Sequence, residues 1–402
     1  MIENALILAA GKGTRMWPLT ENVPKPLLPI SGVPIIKRQI DELKKVGVKK
    51  VYILIGYQMN EIPNYLYKNE TEIEIDYIVQ EEQKGTGHAV KMAENKIKGS
   101  FYCLNGDIII SAKNLKKINN CNDMAMMVTT VEDGSNFGAV KEKNGYLVSI
   151  IEKGKGGKCK INAGIFIFNE AIFTAINNTK ESIRGEYELT DALELVSNQI
   201  EVIEFEGKWR DIGNPWDLIS ANEDYMEDNK EEINGEIEDK VFVNGNITLG
   251  KGSVIKSGTY IEGNVWIGKN CVVGPNAYLR KGTVLCGANK IGAFSEVKNS
   301  IFLEGAKAPH HNYVGDSIIG ENSNLGSGTK IANLRFDKRT IEVKHKGKKI
   351  DSGRRKLGAI IGSNVSTGIN TSINAGTILG NYTKIGPNAL VSGTYESKST
   401  IA

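Results

Sequence analysis

Leu8-Ala9-Ala10-Gly11-Lys12-Gly13-Thr14-Arg15-Met16, answered by Pro24-Lys25-Pro26-Leu27-Leu28-Pro29, is the stretch on which the reading of this chain turns. The apolar run Ala5 to Ala10 predicts a buried strand that ends in a glycine-rich turn. Glycines let backbone come close to a bound group, and their free N–H donors can wrap phosphate oxygens. Lys12, Arg15 and Lys25, the last on a proline-stiffened segment, add fixed positive charge. A triphosphate would be oriented by the amides and neutralised by the cations. Two common phosphate loops are excluded by spacing. The dinucleotide fingerprint needs a third glycine where Met16 stands, and a P-loop needs Gly-Lys-Ser/Thr after four intervening residues.

Outward from this turn, short β-branched runs alternate with amphipathic segments as far as about Ile203. Lys50–Ile55, Ile73–Val79 and Phe101–Leu104 read as strands; Ile35–Val46, Glu61–Tyr67 and His88–Ile97 carry helical spacing. Such alternation predicts a mostly parallel sheet covered on both faces, with ligands beyond the carboxyl ends of its strands. At 402 residues the chain needs two or three domains, and a net charge of +3 is nearly balanced. Five cysteines without a C-x-x-C pair point to neither a disulfide framework nor a zinc knuckle, and fit a reducing cytoplasm. The first ten residues lack the flank and cleavage signal of a secretory peptide, and no apolar run reaches membrane-spanning length.

The complete phrase G-x-G-T-R-M followed by P-K-P-L-L-P resembles the sugar-phosphate nucleotidylyltransferase family. The resemblance implies that Leu8, Ala9, Ala10, Gly11, Lys12, Gly13 and Thr14 bind nucleotide, with Arg15 and Lys25 catalytic. In Gln80-Glu81-Glu82-Gln83-Lys84-Gly85-Thr86-Gly87-His88, residues Gln80, Gly85 and Thr86 match the family's base-reading positions. Gln80 offers one acceptor and two donors in a plane, which suits a pyrimidine edge. Leu104-Asn105-Gly106-Asp107 ends a strand, where a carboxylate can hold a hard divalent cation that bridges phosphates. Asn105 and Gly106 are the accompanying nucleotide contacts. Asp107 and Asp211, the latter in Trp209-Arg210-Asp211-Ile212-Gly213, match the family's Mg²⁺ ligands. Bacterial bifunctional relatives carry asparagine at the second position and thymidylyltransferases carry aspartate, which leaves uracil and thymine both open. Gly138, Glu152, Lys153 and Asn162 match sugar-phosphate contacts.

The pattern changes after an acidic, polar stretch from Glu223. Every sixth residue from Ile237 is aliphatic: Val243, Leu249, Ile255, Ile261, Ile267, Val273, Leu279, Leu285, Ile291, Val297, Leu303. Small or acidic residues follow many of them. A hexapeptide period is the signature of a parallel β-helix, with three hexapeptides to a triangular coil. The period slips near Pro309, resumes at Ile319, Leu325 and Ile331, breaks again, and returns at Ile361, Ile373, Leu379, Ile385 and Val391. A solenoid is expected to carry function where its period breaks, because insertions leave the core as loops.

The first break holds Lys307-Ala308-Pro309-His310-His311-Asn312-Tyr313-Val314-Gly315-Asp316. Imidazole is suited to taking a proton from an amine near neutrality. The phrase resembles the K-A-x-H-x-x-Y-x-G-D of hexapeptide acetyltransferases acting on glucosamine-1-phosphate. That resemblance makes His310 the general base and places Arg280, Lys298, Tyr313, Asn324, Ser327 and Asn333 at substrate-binding positions, Arg280 and Lys298 on the sugar phosphate. The second break, Leu334–Lys356, holds ten Lys/Arg against three acids. A solvated basic loop, nucleic acid and the phosphates of acetyl-CoA all suit it; Lys356 is the one acetyl-site candidate taken from it.

The resemblance therefore covers the whole chain. It implies an α/β, Rossmann-like nucleotidyltransferase domain with a mostly parallel sheet over residues 1–222, a linker over 223–236, and a left-handed parallel β-helix over 237–402. It implies a bifunctional, archaeal-type enzyme: glucosamine-1-phosphate is acetylated with acetyl-CoA, then N-acetylglucosamine-1-phosphate receives uridylate from UTP and pyrophosphate is released. It further implies Mg²⁺, a homotrimer with acetyl-CoA between neighbours, and cytoplasmic residence. Neither membrane nor nucleic acid is an expected partner. Two other readings share the architecture. One is a monofunctional thymidylyl- or uridylyltransferase whose β-helix only oligomerises or regulates. The other is a non-catalytic scaffold subunit of a translation-initiation exchange factor, in which the loop phrase and metal acids are typically eroded; here both are intact.

Overall fold

The computed structural model describes residues 2–69, 71–121, 123–135, 137–151, 156–182, 185–205, 207–228, 230–345 and 347–402. They form two compact units, each interrupted in sequence. The first comprises Met1–Lys12, Val23–Leu27 and Pro34–Asp211; the second comprises Gly13–Asn22, Leu28–Val33 and Ile212–Ala402. The expected boundaries at 222 and 237 follow the sequence change, whereas the contacts also carry two short N-terminal segments and the helix Pro215–Glu227 into the second unit.

In the first unit the strands are β1 (Asn4–Leu8), β2 (Lys50–Ile55), β3 (Glu74–Val79), β4 (Phe101–Asn105), β5 (Ile108–Ile109), β6 (Met124–Val131), β7 (Ala139–Lys143), β8 (Tyr146–Ile151), β9 (Cys159–Phe168), β10 (Ile200–Glu204) and β11 (Arg210–Asp211). The helices are α1 (Ile35–Lys45), α2 (Glu61–Lys68), α3 (Thr86–Lys91), α4 (Ala112–Ile118), α5 (Ala171–Asn177) and α6 (Leu189–Leu195). Nine strands form one sheet in the order β3-β2-β1-β4-β9-β6-β10-β8-β7. The β3-β2-β1-β4 half is parallel, as the alternation predicts. Beyond it β9 runs antiparallel to both β4 and β6, and β10 returns parallel to β6. Alternate residues of β1 and β2 enter different cores. Leu6 and Leu54 belong to one and Ala5, Ile7, Val51 and Ile53 to the other, so both faces of the sheet are covered. That is why these strands read as unbroken apolar runs. The helix expected over His88–Ile97 is α3, shorter and shifted toward its Gly85 entry.

In the second unit, short strands stack into three parallel sheets. One has nine strands from Glu232–Ile233 to Thr394–Tyr395, and one has eight from Phe242–Asn244 to Leu390–Val391. The third is divided in two, its halves joined through bridges at Asn324. Ile247 pairs with Val265 and Trp266 with Val284, a step of 18 residues, which is three hexapeptides. The aliphatic positions Leu249, Ile255, Ile261, Ile267, Val273, Leu279, Leu285, Ile291 and Val297 form a fully buried stack, each contributing about 1.5–3 kcal/mol.

Leu303 departs from the expected stack. Leu285 pairs with Phe302, so the phase has already lost one residue and Phe302 takes the inward position. A second contraction follows, because Glu296 pairs with Tyr313 and Tyr313 with Lys330, steps of 17. The stretch around Pro309 is thus no insertion; it is a coil one residue short. Asn299 (φ 47) and Asp316 (φ 49) take left-handed backbone at the shortened corners, the conformation that polar Asn and Asp accept most readily among non-glycine residues. The second break is a true insertion. Ile318 pairs next with Ile360, and between them runs a hairpin of Glu342–His345 against Lys348–Asp351. The helix α7 (Pro215–Glu227) precedes the coil, its start fixed by a reciprocal cap between Asn214 and Asp217 with proline at the first turn. The segment expected as linker ends in coil, since Glu232–Ile233 already pairs with Thr248–Leu249.

Candidate active sites

In the first unit the loop after β1 is held by backbone: Ala9 N–H donates to Leu54 O (3.0 Å) and Tyr57 N–H to Ala10 O (3.1 Å). A Cβ at Gly11 would meet no protein atom within 4 Å. That glycine is not needed for protein packing, and Gly11 and Lys12 are exposed. The next segment, Gly13–Asn22, belongs to the second unit; there Gly13 takes φ 60 and its carbonyl accepts from Met16 N–H (2.9 Å) and the Thr20 hydroxyl (2.8 Å), leaving Thr14 and Arg15 exposed on a short 3-10 turn.

The metal candidates are built by β4, β5 and β11. Asp107 follows β4, and Asp211 pairs across with Ile108, the next residue after Asp107. Lys25 Nζ lies 2.5 Å from Asp107 Oδ2, with the lysine side chain only 9% exposed. This ammonium is a cation stand-in at Asp107, so that carboxylate suits a hard divalent ion that keeps water and phosphate oxygens in its remaining positions; Asp211 is brought to the same two-stranded pairing. Among the described residues no group of three or more His, Cys, Asp and Glu forms a metal cage. The turn between β4 and β5 is close-packed: Gly106 N–H donates to Leu8 O (3.0 Å), and a Cβ there would stand 2.7 Å from that oxygen. Gly106→Ala should therefore cost about 1–3 kcal/mol, read as a lower urea midpoint, together with loss of the nucleotidyl activity argued below.

Sequence reading missed Gln39. Its Nε2 donates to Asn105 O (2.7 Å) and Ile108 O (3.0 Å), clamping the Asp107 turn from both sides, while its Oε1 is buried without a partner. The signal was present, because Gln39 interrupts the apolar face Ile35, Ile36, Ile40 and Leu43 of α1.

Gln80, expected to read a base, is buried, and its Nε2 lies 2.9 Å from His88 Nδ1. Burial, then the nearby Lys84 and Lys91, lower the His88 pKa, so the neutral ring is the acceptor for this amide. The unfolded chain takes up the proton near pH 6.5 and the folded chain resists it, so stability contributed here is present above that pH and lost as pH falls. The urea midpoint should drop between pH 7 and 5.5, and His88→Gln should remove part of that drop. Gly85 (φ 94) cannot bear a side chain, because a Cβ would sit 2.6 Å from Tyr187 O; Thr86 Oγ1 accepts from Leu189 N–H (3.1 Å). Gly138, Asn162 and Asn105 are brought together. Asn162 N–H donates to Gly138 O (3.0 Å), Asn162 Oδ1 accepts from Gly164 N–H (2.9 Å), and a Cβ on Gly164 would strike the Asn105 amide. Glu152 and Lys153 lie outside the described residues.

In the second unit, strand register puts Arg280, Lys298 and Gly315 in one column and Tyr278, Glu296, Tyr313 and Lys330 in the next. The cations are matched by acids: Arg280 by Glu296 (3.0 Å) and Glu262 (3.6 Å), Lys298 by Asp316 (3.2 Å). A Cβ on Gly315 would meet Asn333 Nδ2 at 2.5 Å and the Tyr313 hydroxyl at 2.9 Å, so the missing side chain opens the space beside them. Burial raises the Tyr313 pKa, keeping its hydroxyl a donor. His310 is exposed, its backbone N–H fixed on Asn312 Oδ1 (3.1 Å), while His311 stacks on Phe294 (5.3 Å between centroids). Asn324 bridges Lys307 and Ser366, and Ser327 O accepts from Asn370 N–H (2.8 Å). Lys356 is exposed and pairs in backbone with Leu334, closing the insertion. Arg354 from that insertion grips Glu223 of α7 (2.6 and 3.1 Å) and the Ser220 hydroxyl (2.7 Å).

Comparison with known proteins agrees with both halves. The profile of the Nucleotidyl transferase family matches residues 4–228, and that of the GMPPB C-terminal domain matches residues 261–347. The chain is 42% identical over 410 residues to the bifunctional protein GlmU of Methanococcus vannielii, covering 99% of this chain and 97% of that protein. It is 43% identical over 394 residues to the bifunctional sugar-1-phosphate nucleotidylyltransferase/acetyltransferase of Sulfurisphaera tokodaii, covering 96% of each. A Bacillus anthracis structure described as a glucose-1-phosphate thymidylyltransferase superposes with TM-score 0.50 at 27% identity, covering 55% of this chain and 94% of that one. A UDP-glucose pyrophosphorylase complexed with UDP-glucose shares the fold, at TM-score 0.50 and 24% identity over 57% of this chain and all of the other.

Proposed function

Because this chain belongs to the nucleotidyl transferase family and, along its whole length, to the bifunctional sugar-1-phosphate nucleotidylyltransferase/acetyltransferases, we propose that it makes UDP-N-acetylglucosamine in two steps. It acetylates glucosamine-1-phosphate and then transfers uridylate to the product. The observation that carries the second step is the Lys25–Asp107 pair with Asp211 opposite Ile108.

In uridylyl transfer an oxygen of the sugar 1-phosphate attacks the α-phosphorus of UTP and pyrophosphate departs, with no covalent enzyme intermediate. The loop amides of Leu8–Thr14, with Lys12, orient the triphosphate, and Arg15 and Lys25 neutralise charge as it moves to the leaving pyrophosphate. Asp107 and Asp211 would hold Mg²⁺, which supplies charge neutralisation at the phosphates. Gln80, Gly85, Thr86, Asn105 and Gly106 are assigned to the nucleoside and Gly138 and Asn162 to the sugar phosphate, a role the family resemblance also gives to Glu152 and Lys153.

In acetyl transfer His310 accepts the proton as the amine attacks the thioester carbonyl and the coenzyme A thiolate leaves. Arg280 and Lys298 take the sugar phosphate; Tyr313, Asn324, Ser327, Asn333 and Lys356 complete the site. The coil is left-handed and trimeric, and acetyl-CoA lies between neighbours against the basic insertion. Residence is cytoplasmic; among the described residues no helix is long and apolar enough to cross a membrane. The functional domains are 1–222 and 237–402, with 223–236 joining them. One assay tests the whole reading: glucosamine-1-phosphate with acetyl-CoA should release free thiol, and N-acetylglucosamine-1-phosphate with Mg²⁺ and UTP should release pyrophosphate. A protein that releases neither is not this enzyme, and greater turnover with dTTP would change its base.

A further inference from the structure

Asp316 is the most deeply buried carboxylate of the acetyl-transfer corner, its side chain 2% exposed. Three side chains converge on it: Lys298 Nζ at 3.2 Å, Asn299 Nδ2 at 2.8 Å and Asn333 Nδ2 at 2.5 Å. Its own backbone is fixed as well. Its N–H donates to Lys298 O (2.9 Å) and its carbonyl accepts from Gly358 N–H (2.8 Å), where the chain re-enters the coil after the insertion. Asn299 gives the same amide nitrogen to Glu223 Oε1 (2.6 Å), and Glu223 in turn holds Arg354. One amide with two hydrogens thus joins two carboxylates. A continuous chain runs Arg354–Glu223–Asn299–Asp316 and ends on Lys298 and Asn333.

We propose that Asp316 is the positioning residue of the acetyltransferase site, setting the Lys298 ammonium and the Asn333 amide, with Glu223 of α7 holding it through Asn299. This rests on the acetyl-transfer reading above. A lysine has four rotatable bonds and about 2 kcal/mol of rotamer entropy, so a free Lys298 would pay that cost on each binding event. Asp316 fixes it beforehand, and the buried carboxylate is itself satisfied only while these donors face it. Asn333 is bound the same way, its amide nitrogen donating to Asp316 Oδ2 beside the Tyr313 hydroxyl. The contracted corner makes this possible, because the left-handed backbone at Asp316 and Asn299 turns both side chains toward one another.

Asp316→Asn in the full chain is the test, beside Lys298→Met and the double variant. The expected result is a KM for glucosamine-1-phosphate raised about tenfold or more, with the KM for acetyl-CoA and the uridylyl-transfer rate within twofold of wild type. Because Asp316 acts through Lys298 as well as Asn333, the double variant should lose less than the product of the two single losses. Glu223→Gln should shift the same KM in the same direction by less, and serves if Asp316→Asn does not fold. An unchanged KM, or strictly additive losses, overturns the proposal. Absence of acetyl transfer in the wild type would instead overturn the reading beneath it.

Discussion

His310→Ala should lower the rate of acetyl transfer by about 10²- to 10⁴-fold, the range a positioned general base supplies. The side chain is exposed and its backbone N–H is tied to Asn312, so truncation removes the imidazole without disturbing the coil. Uridylyl transfer by the same protein is the internal control and should stay within twofold of wild type. Free thiol release at saturating acetyl-CoA reads the loss directly. If His310→Ala keeps more than half of wild-type turnover, another group takes the proton and the coil is a scaffold for the other half.

Asp107→Asn should lower uridylyl transfer on the order of 10²- to 10³-fold, the scale of removing one preorganised electrostatic contact. The change keeps shape and removes charge, leaving Lys25, its side chain only 9% exposed, without the carboxylate 2.5 Å away. Breaking a buried pair from one side destabilises by about 3–5 kcal/mol when both partners are fully buried, and Asp107 is 27% exposed, so a smaller loss in melting temperature is expected. Acetyl transfer then separates the two causes: a protein that still acetylates at the wild-type rate is folded, and its missing pyrophosphate release belongs to the site. Arg15→Ala should show the same selective loss with less effect on melting, since Arg15 is exposed. Wild-type pyrophosphate release from either variant would remove these residues from the mechanism.

The residues that could be read in advance share a property: their neighbours in sequence already carry the physics. The β1 loop is legible because glycine, lysine and arginine stand within one turn. The coil is legible because a six-residue period needs only the chain itself. His310 and Tyr313 fall in one short phrase. Gln39, Asn299 and Glu223 had no such phrase, and Asp316, although it closes the phrase that holds His310, gave no sign there of the side chains it meets. Glu223 and Asn299 meet although 76 positions separate them, and Glu223 and Arg354 although 131 do. Gln80 shows the converse. Its planar donor–acceptor group is legible from the residue type, but its nitrogen faces His88 eight residues on, a choice made by packing.

Sequence alone determined the order of the two architectures, the glycine-rich turn after the first strand, and the stack that repeats through the second half. Each follows from local spacing of side chains along a backbone with fixed periods. Tertiary structure decided which carboxylate each cation meets, where the coil loses its residues, and that Phe302 rather than Leu303 points inward. Charge pairing and coil phase are set by distances between residues remote in sequence, and those exist only once the chain has closed on itself.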